Sequence, residues 1–86
     1  QTENMAWNRP ASARYRVQTG AFRREENAWS LYQKLLRQRF PAEIGKNEDL
    51  FLVWVGNYAR LDNAVKMEQV LKSLGYATYI IRTDES

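Results

Sequence analysis

An 86-residue chain with 44% hydrophobic and 27% charged residues has room for one small globular domain with a thin core. It contains neither cysteine nor histidine, which excludes disulfide scaffolds, Cys/His metal centres, thiol nucleophiles and any catalytic pair that needs an imidazole. The net charge is only +3, and nine of the thirteen basic residues are arginines scattered among acids, a pattern that fits a solvated surface better than the clustered face of a nucleic-acid module.

Residues 1–13 show no hydrophobic period and contain Asn8, Pro10 and Ser12; they read as a flexible linker or tail, with the domain occupying residues 14–86. Trp7 is expected in a frayed end rather than packed on the domain. The chain begins at Gln1 rather than Met and is expected to be a piece of a longer protein. No apolar run approaches the roughly 18–20 residues of a membrane span, and no signal-peptide pattern is present.

The first element is a strand over Tyr15–Thr19, ended by Gly20. A helix follows, with Ala28, Leu31 and Leu35 at i, i+3 and i+7 forming one apolar stripe. Glu25 and Glu26 fall in its first turn, where they complement the helix dipole, and Pro41 stops it. Trp29 and Tyr32 flank the stripe, at an edge where they either pad the core or widen a groove. A short strand, Ala42–Ile44, leads to the polar turn Lys46–Asp49. The pattern then recurs: strand Phe51–Val55, Gly56, a helix with Asp62 in its first turn and Ala64, Met67, Leu71 and Leu74 on its stripe, Gly75 as the stop, and a strand over Ala77–Arg82.

This recurrence is a true repeat. Residues 15–44 laid over residues 51–80 give eight identities in thirty gap-free positions, including Val17/Val53, Gly20/Gly56, Arg24/Arg60 and Ile44/Ile80, so one βαβ unit is used twice. The expected fold is α+β: a ferredoxin-like βαββαβ domain with a four-stranded antiparallel sheet and both helices on one face.

Strand alternation then assigns the two faces of the sheet. Tyr15, Val17, Thr19, Ile44, Phe51, Val53, Val55 and Ile80 point to the helices. Arg16, Gln18, Glu43, Leu52, Trp54, Tyr79 and Ile81 point to the face the helices leave open, and they are the candidate site. Two readings compete with an open face: a one-residue register slip, which would bury Trp54, and the leading segment folding across the sheet. An apolar patch ringed by polar groups marks a contact surface. An aromatic face supports a sugar ring, a Gln amide both donates and accepts, and Arg donates in a fork. The same chemistry suits nucleobases, but the strand Asp49–Gly56 does not match the RNP-type pattern of basic residue, glycine and aromatics found in RNA-recognition modules.

The run Tyr15-Arg-Val-Gln-Thr-Gly-Ala-Phe22, with Glu26-Asn-Ala28, Phe40-Pro-Ala42, Val53-Trp-Val-Gly-Asn-Tyr58 and Asn63-Ala64, resembles the SPOR domain, the sporulation-related repeat of bacterial cell-wall proteins. The resemblance covers about residues 14–83. It implies noncovalent binding of peptidoglycan, specifically glycan strands denuded of stem peptides, at division septa or during sporulation. It implies a location in the cell envelope (periplasm, cell wall or a spore-associated compartment). The parent protein would be larger, such as an amidase, a lytic transglycosylase or a division protein. Gln18 matches the family's strand-one glutamine on the glycan-facing sheet, and Trp54 falls on the same face. Ala21 departs from the pattern, standing where several members carry a small hydroxyl residue near the ligand.

No enzyme is expected in this chain. Glu25 and Glu26 are adjacent on a helix and do not face each other, whereas a glycosidase needs two carboxyls about 5–10 Å apart across a bond. No cofactor, metal or membrane contact is expected, and the acids lack EF-hand spacing. A monomeric module is expected, with nucleic-acid or protein docking through the same sheet face as the alternative. Trp54→Ala and Gln18→Ala are expected to weaken glycan binding with little change in thermal midpoint.

Overall fold

The computed structural model describes residues 12–85. Six elements follow in the expected order: β1 (Ser12–Phe22), α1 (Glu25–Arg37), β2 (Ala42–Asn47), β3 (Leu50–Tyr58), α2 (Leu61–Ser73) and β4 (Tyr79–Glu85). The strands form one antiparallel sheet in the order β2-β3-β1-β4, with β1 and β3 central. Both helices pack on the same side of it, α1 against β1, β2 and β3, α2 against β1, β3 and β4.

The core lies between this side and the helices. Val17, Val53 and Val55 meet Ala28, Leu35, Ala64 and Leu71, all with no exposed surface. Tyr15, Leu31, Ile44, Phe51, Met67 and Ile80 close its rim. Burying a side chain the size of Leu35 or Leu71 stabilises by roughly 1.5–3 kcal/mol. Tyr76, just past α2, packs on the core; its hydroxyl hydrogen-bonds Gln38 and its ring receives Lys34 at 5.2 Å. Trp29 is half exposed on the outer side of α1, its ring 5.2 Å from that of half-buried Tyr32. Leu74 does not join the apolar stripe of α2: it is the C-cap residue and is exposed.

Three sequence expectations shift. β1 is longer than expected and starts at Ser12, so Ser12 and Ala13 are strand residues that pair with Glu85 and Asp84. The rest of the expected tail, Trp7 included, lies outside the described residues. Gly20 and Gly56 do not end their strands, which continue to Phe22 and Tyr58. Each instead sits at a β-bulge, where the β1–β3 register shifts between Gln18 and Gly20 and again opposite the Tyr15–Val17 step. Gly56 takes the left-handed φ of +79° that such a bulge favours. At Gly20 space decides: a Cβ there would stand 2.6 Å from the Phe22 ring and 2.9 Å from Leu31.

The third shift concerns α1, which stops four residues before Pro41. Both helices end in the same backbone motif. Phe40 N–H donates to Leu35 O and Arg39 N–H to Leu36 O; Tyr76 N–H donates to Leu71 O and Gly75 N–H to Lys72 O. This is the Schellman arrangement, which needs a left-handed residue after the cap. Gly75 fills that place at φ +92°, and Arg39 fills it in the first half at φ 70°.

Candidate functional site

The seven candidate residues share the sheet face opposite the helices. Cross-strand pairing joins Glu43 to Trp54, Trp54 to Gln18, and Gln18 to Tyr79. One row therefore runs across all four strands, about 14 Å at the usual strand spacing. The next row pairs Arg16 with Ile81; on the other side Leu52 pairs with both Gly45 and Ala21. The β1 bulge carries Ala21 onto this face, where it is exposed. Thr19 lies at the bulge, buried, its hydroxyl donating to Val53 O at 3.4 Å.

The indole of Trp54 points away from the helices, as expected, but it is not a bare surface. Its ring lies over Gly45, where a Cβ would overlap it. The Arg16 guanidinium stands 4.7 Å from the ring centroid and donates to Glu43 Oε1 at 2.6 Å. Arg16 thus reaches from β1 across β3 to β2 and covers part of the indole, which holds its own side chain to 17% exposure. Such a cation over an indole face is worth roughly 0.5–2 kcal/mol. Trp54 Nε1 is enclosed with no acceptor among the described residues. Leu52 lies on the same face and is buried. Tyr79 is the most exposed of the row at 67%.

The centre of the face is therefore a packed aromatic–arginine–glutamate layer, and its accessible groups are Tyr79, the Gln18 amide, Glu43 and the outer surface of Arg16. Together they offer one aromatic ring, hydrogen-bond donors and acceptors, and near-neutral charge, which suits a polar, largely uncharged, ring-bearing ligand. The sequence reading missed Gly45, although a glycine inside a strand signals close approach of another group. It also missed Arg14, which donates to the Asn57 side-chain and main-chain oxygens beside the β3 bulge.

Among the described residues no cluster of three acids could hold a metal ion, and no helix is long and apolar enough to cross a membrane. A groove at the start of α2, lined by Tyr15, Leu61 and Val65 with Arg60, Asp62 and Lys66 at its rim, shares no residue with the row. The titration shifts lie at the helix starts and at Tyr58. At Glu26 the backbone hydrogen bond, then Arg24, lowers the carboxyl pKa; at Asp62 the hydrogen bond from Arg60 does so first. Burial pushes the Tyr58 phenol up.

The described residues thus form a ferredoxin-like α+β domain, with both helices on one side of the sheet and an aromatic-polar row on the other. The SPOR domain family matches residues 11–82, and the chain belongs to that family. The fold is similar to the solution structure of the peptidoglycan-binding domain of the Bacillus subtilis cell wall lytic enzyme CwlC, with 25% identity, a TM-score of 0.78, and 98% of this chain and 100% of that one covered. No curated protein matches the sequence.

Proposed function

We propose that this domain binds the glycan strands of peptidoglycan through its open sheet face, and that it prefers strands stripped of their stem peptides. In this reading it is a binding module of the cell envelope that carries a larger cell-wall protein to septal or sporulation sites. The observation that carries the proposal is the row Glu43–Trp54–Gln18–Tyr79, which crosses all four strands on the side away from both helices. A row of about 14 Å has room for more than one pyranose ring. Membership of the family and the fold shared with a peptidoglycan-binding domain support the ligand class.

In mechanism, Tyr79 supplies an aromatic surface for the C–H face of a sugar. The Gln18 amide donates to and accepts from hydroxyl and acetamido groups. Trp54 and Arg16 hold the face flat between them. Removing the Gln18 amide or the Tyr79 ring is expected to weaken binding about 2- to 10-fold, the range of a single neutral hydrogen bond or a modest stacking contact. Pull-down with purified sacculi before and after amidase digestion tests the preference. Enrichment on digested sacculi is expected; equal capture by both defeats the preference, and capture by neither defeats the proposal.

A further inference from the structure

Among the described residues the open face carries two arginines, and they differ in how their charge is met. Arg16 is paired with Glu43. Arg14, two residues earlier on the same face of β1, donates from Nε to Asn57 Oδ1 at 3.0 Å and from a terminal nitrogen to the Asn57 carbonyl at 3.3 Å. Both acceptors are neutral. Among the residues whose side chains are described, 13–84, no carboxylate lies within ion-pair distance of Arg14. Asn57 sits at the β3 bulge, where the chain departs from regular pairing, so the bulge aims the guanidinium and fixes its plane. A guanidinium has five N–H donors, and two are used here, which leaves the outer ones for a ligand. Thr83 faces Arg14 directly across β4 and places a hydroxyl beside it.

Resting on the glycan-binding reading above, we propose that Arg14, held by Asn57 and flanked by Thr83, is an anion subsite that takes the free lactyl carboxylate of a muramic acid residue. The chemistry of the two strand types supports it. In an intact strand the lactyl carbonyl is an amide joined to the first residue of the stem peptide, and it is neutral. In a stripped strand the same carbon is a carboxylate. Most of the open face is apolar or neutral and cannot register that difference. A pre-oriented guanidinium whose described partners are neutral can, because it matches a carboxylate with two parallel hydrogen bonds. Arg14 lies four residues along β1 from Gln18, about 13 Å, so a strand that contacts the Gln18 row also reaches this end of the face.

The test uses the 86-residue chain and calorimetry at low salt with two ligands. One is a stem-peptide-free GlcNAc–MurNAc oligosaccharide; the other is the same oligosaccharide with its lactyl carboxyls converted to methylamides. Wild type is expected to prefer the carboxylate form about fivefold, the scale of a partly exposed charge pair. Arg14→Gln is expected to keep its affinity for the methylamide form and lose the preference, while Arg14→Lys retains part of it. Circular dichroism confirms that both variants fold. Equal binding of the two ligands by wild type overturns the subsite and leaves the glycan reading standing, as does an Arg14→Gln variant that still discriminates fivefold. Failure of wild type to bind either ligand overturns both.

Discussion

Trp54 and Gly45 belong together: the indole can lie on β2 because residue 45 has no side chain. Gly45→Ala is therefore expected to lift the indole, shift the Trp54 indole N–H resonance and weaken glycan binding, while the sheet persists. An unmoved resonance with unchanged affinity would show that the ring does not depend on Gly45. The same geometry revises the expectation for Trp54→Ala. The indole faces away from the core, yet it packs against Gly45 and carries Arg16. Its removal is expected to lower stability by about 1–3 kcal/mol, read as a drop in the denaturant midpoint, in addition to weakening binding. Alternation along β3 made the direction of Trp54 legible in sequence. Its enclosure was not, because that depends on a glycine one strand away and an arginine on the opposite neighbour.

At the scale of the helices, the duplication explains features that neither copy explains alone. Each helix is preceded by an extended N-cap arginine with no side-chain cap, and each such arginine pairs instead with an acid two residues on, Arg24 with Glu26 at 2.7 Å and Arg60 with Asp62 at 3.0 Å. Both carboxyls titrate below their ordinary values. A lowered folded-state pKa stabilises above the unfolded value, near 4, and that contribution is lost as pH falls through the folded one. The thermal midpoint is thus expected to hold from neutrality to about pH 4 and to fall below it, less steeply in an Arg24→Gln/Arg60→Gln double variant. At the alkaline end the sign reverses: the raised Tyr58 pKa supports the fold below about pH 10 and ceases to do so as pH rises through the folded value. The helix stops were only half legible. Gly75 announces its stop, but Arg39 does the same work without a glycine, and Pro41 drew attention away from it. A left-handed non-glycine residue costs roughly 1–2 kcal/mol. Arg39→Gly is expected to recover about 1 kcal/mol and raise the thermal midpoint by about 4–8 °C; an unchanged midpoint would refute the strain argument.

At the scale of the whole molecule, the repeat made the element order and both faces of the sheet readable, because each strand is phased twice. The bulges at Gly20 and Gly56 escaped that reading, since a glycine marks a turn, a bulge or a crowded contact equally well until its neighbours are known. Ligand class also shows at this scale. Among the residues whose side chains are described, this face presents two arginines and one glutamate, so binding is expected to fall only shallowly with salt, unlike the steep decline of a nucleic-acid complex with many phosphate contacts. The strand order has a further consequence. Each of the three ladders joins a strand from the first copy to one from the second: β2 with β3, β3 with β1, and β1 with β4. A single copy owns no complete ladder. Severing the hairpin between Glu48 and Asp49 should thus yield two peptides that are each unstructured, and that regain the sheet spectrum only on mixing, as partners held together by every hydrogen-bonded seam the protein has.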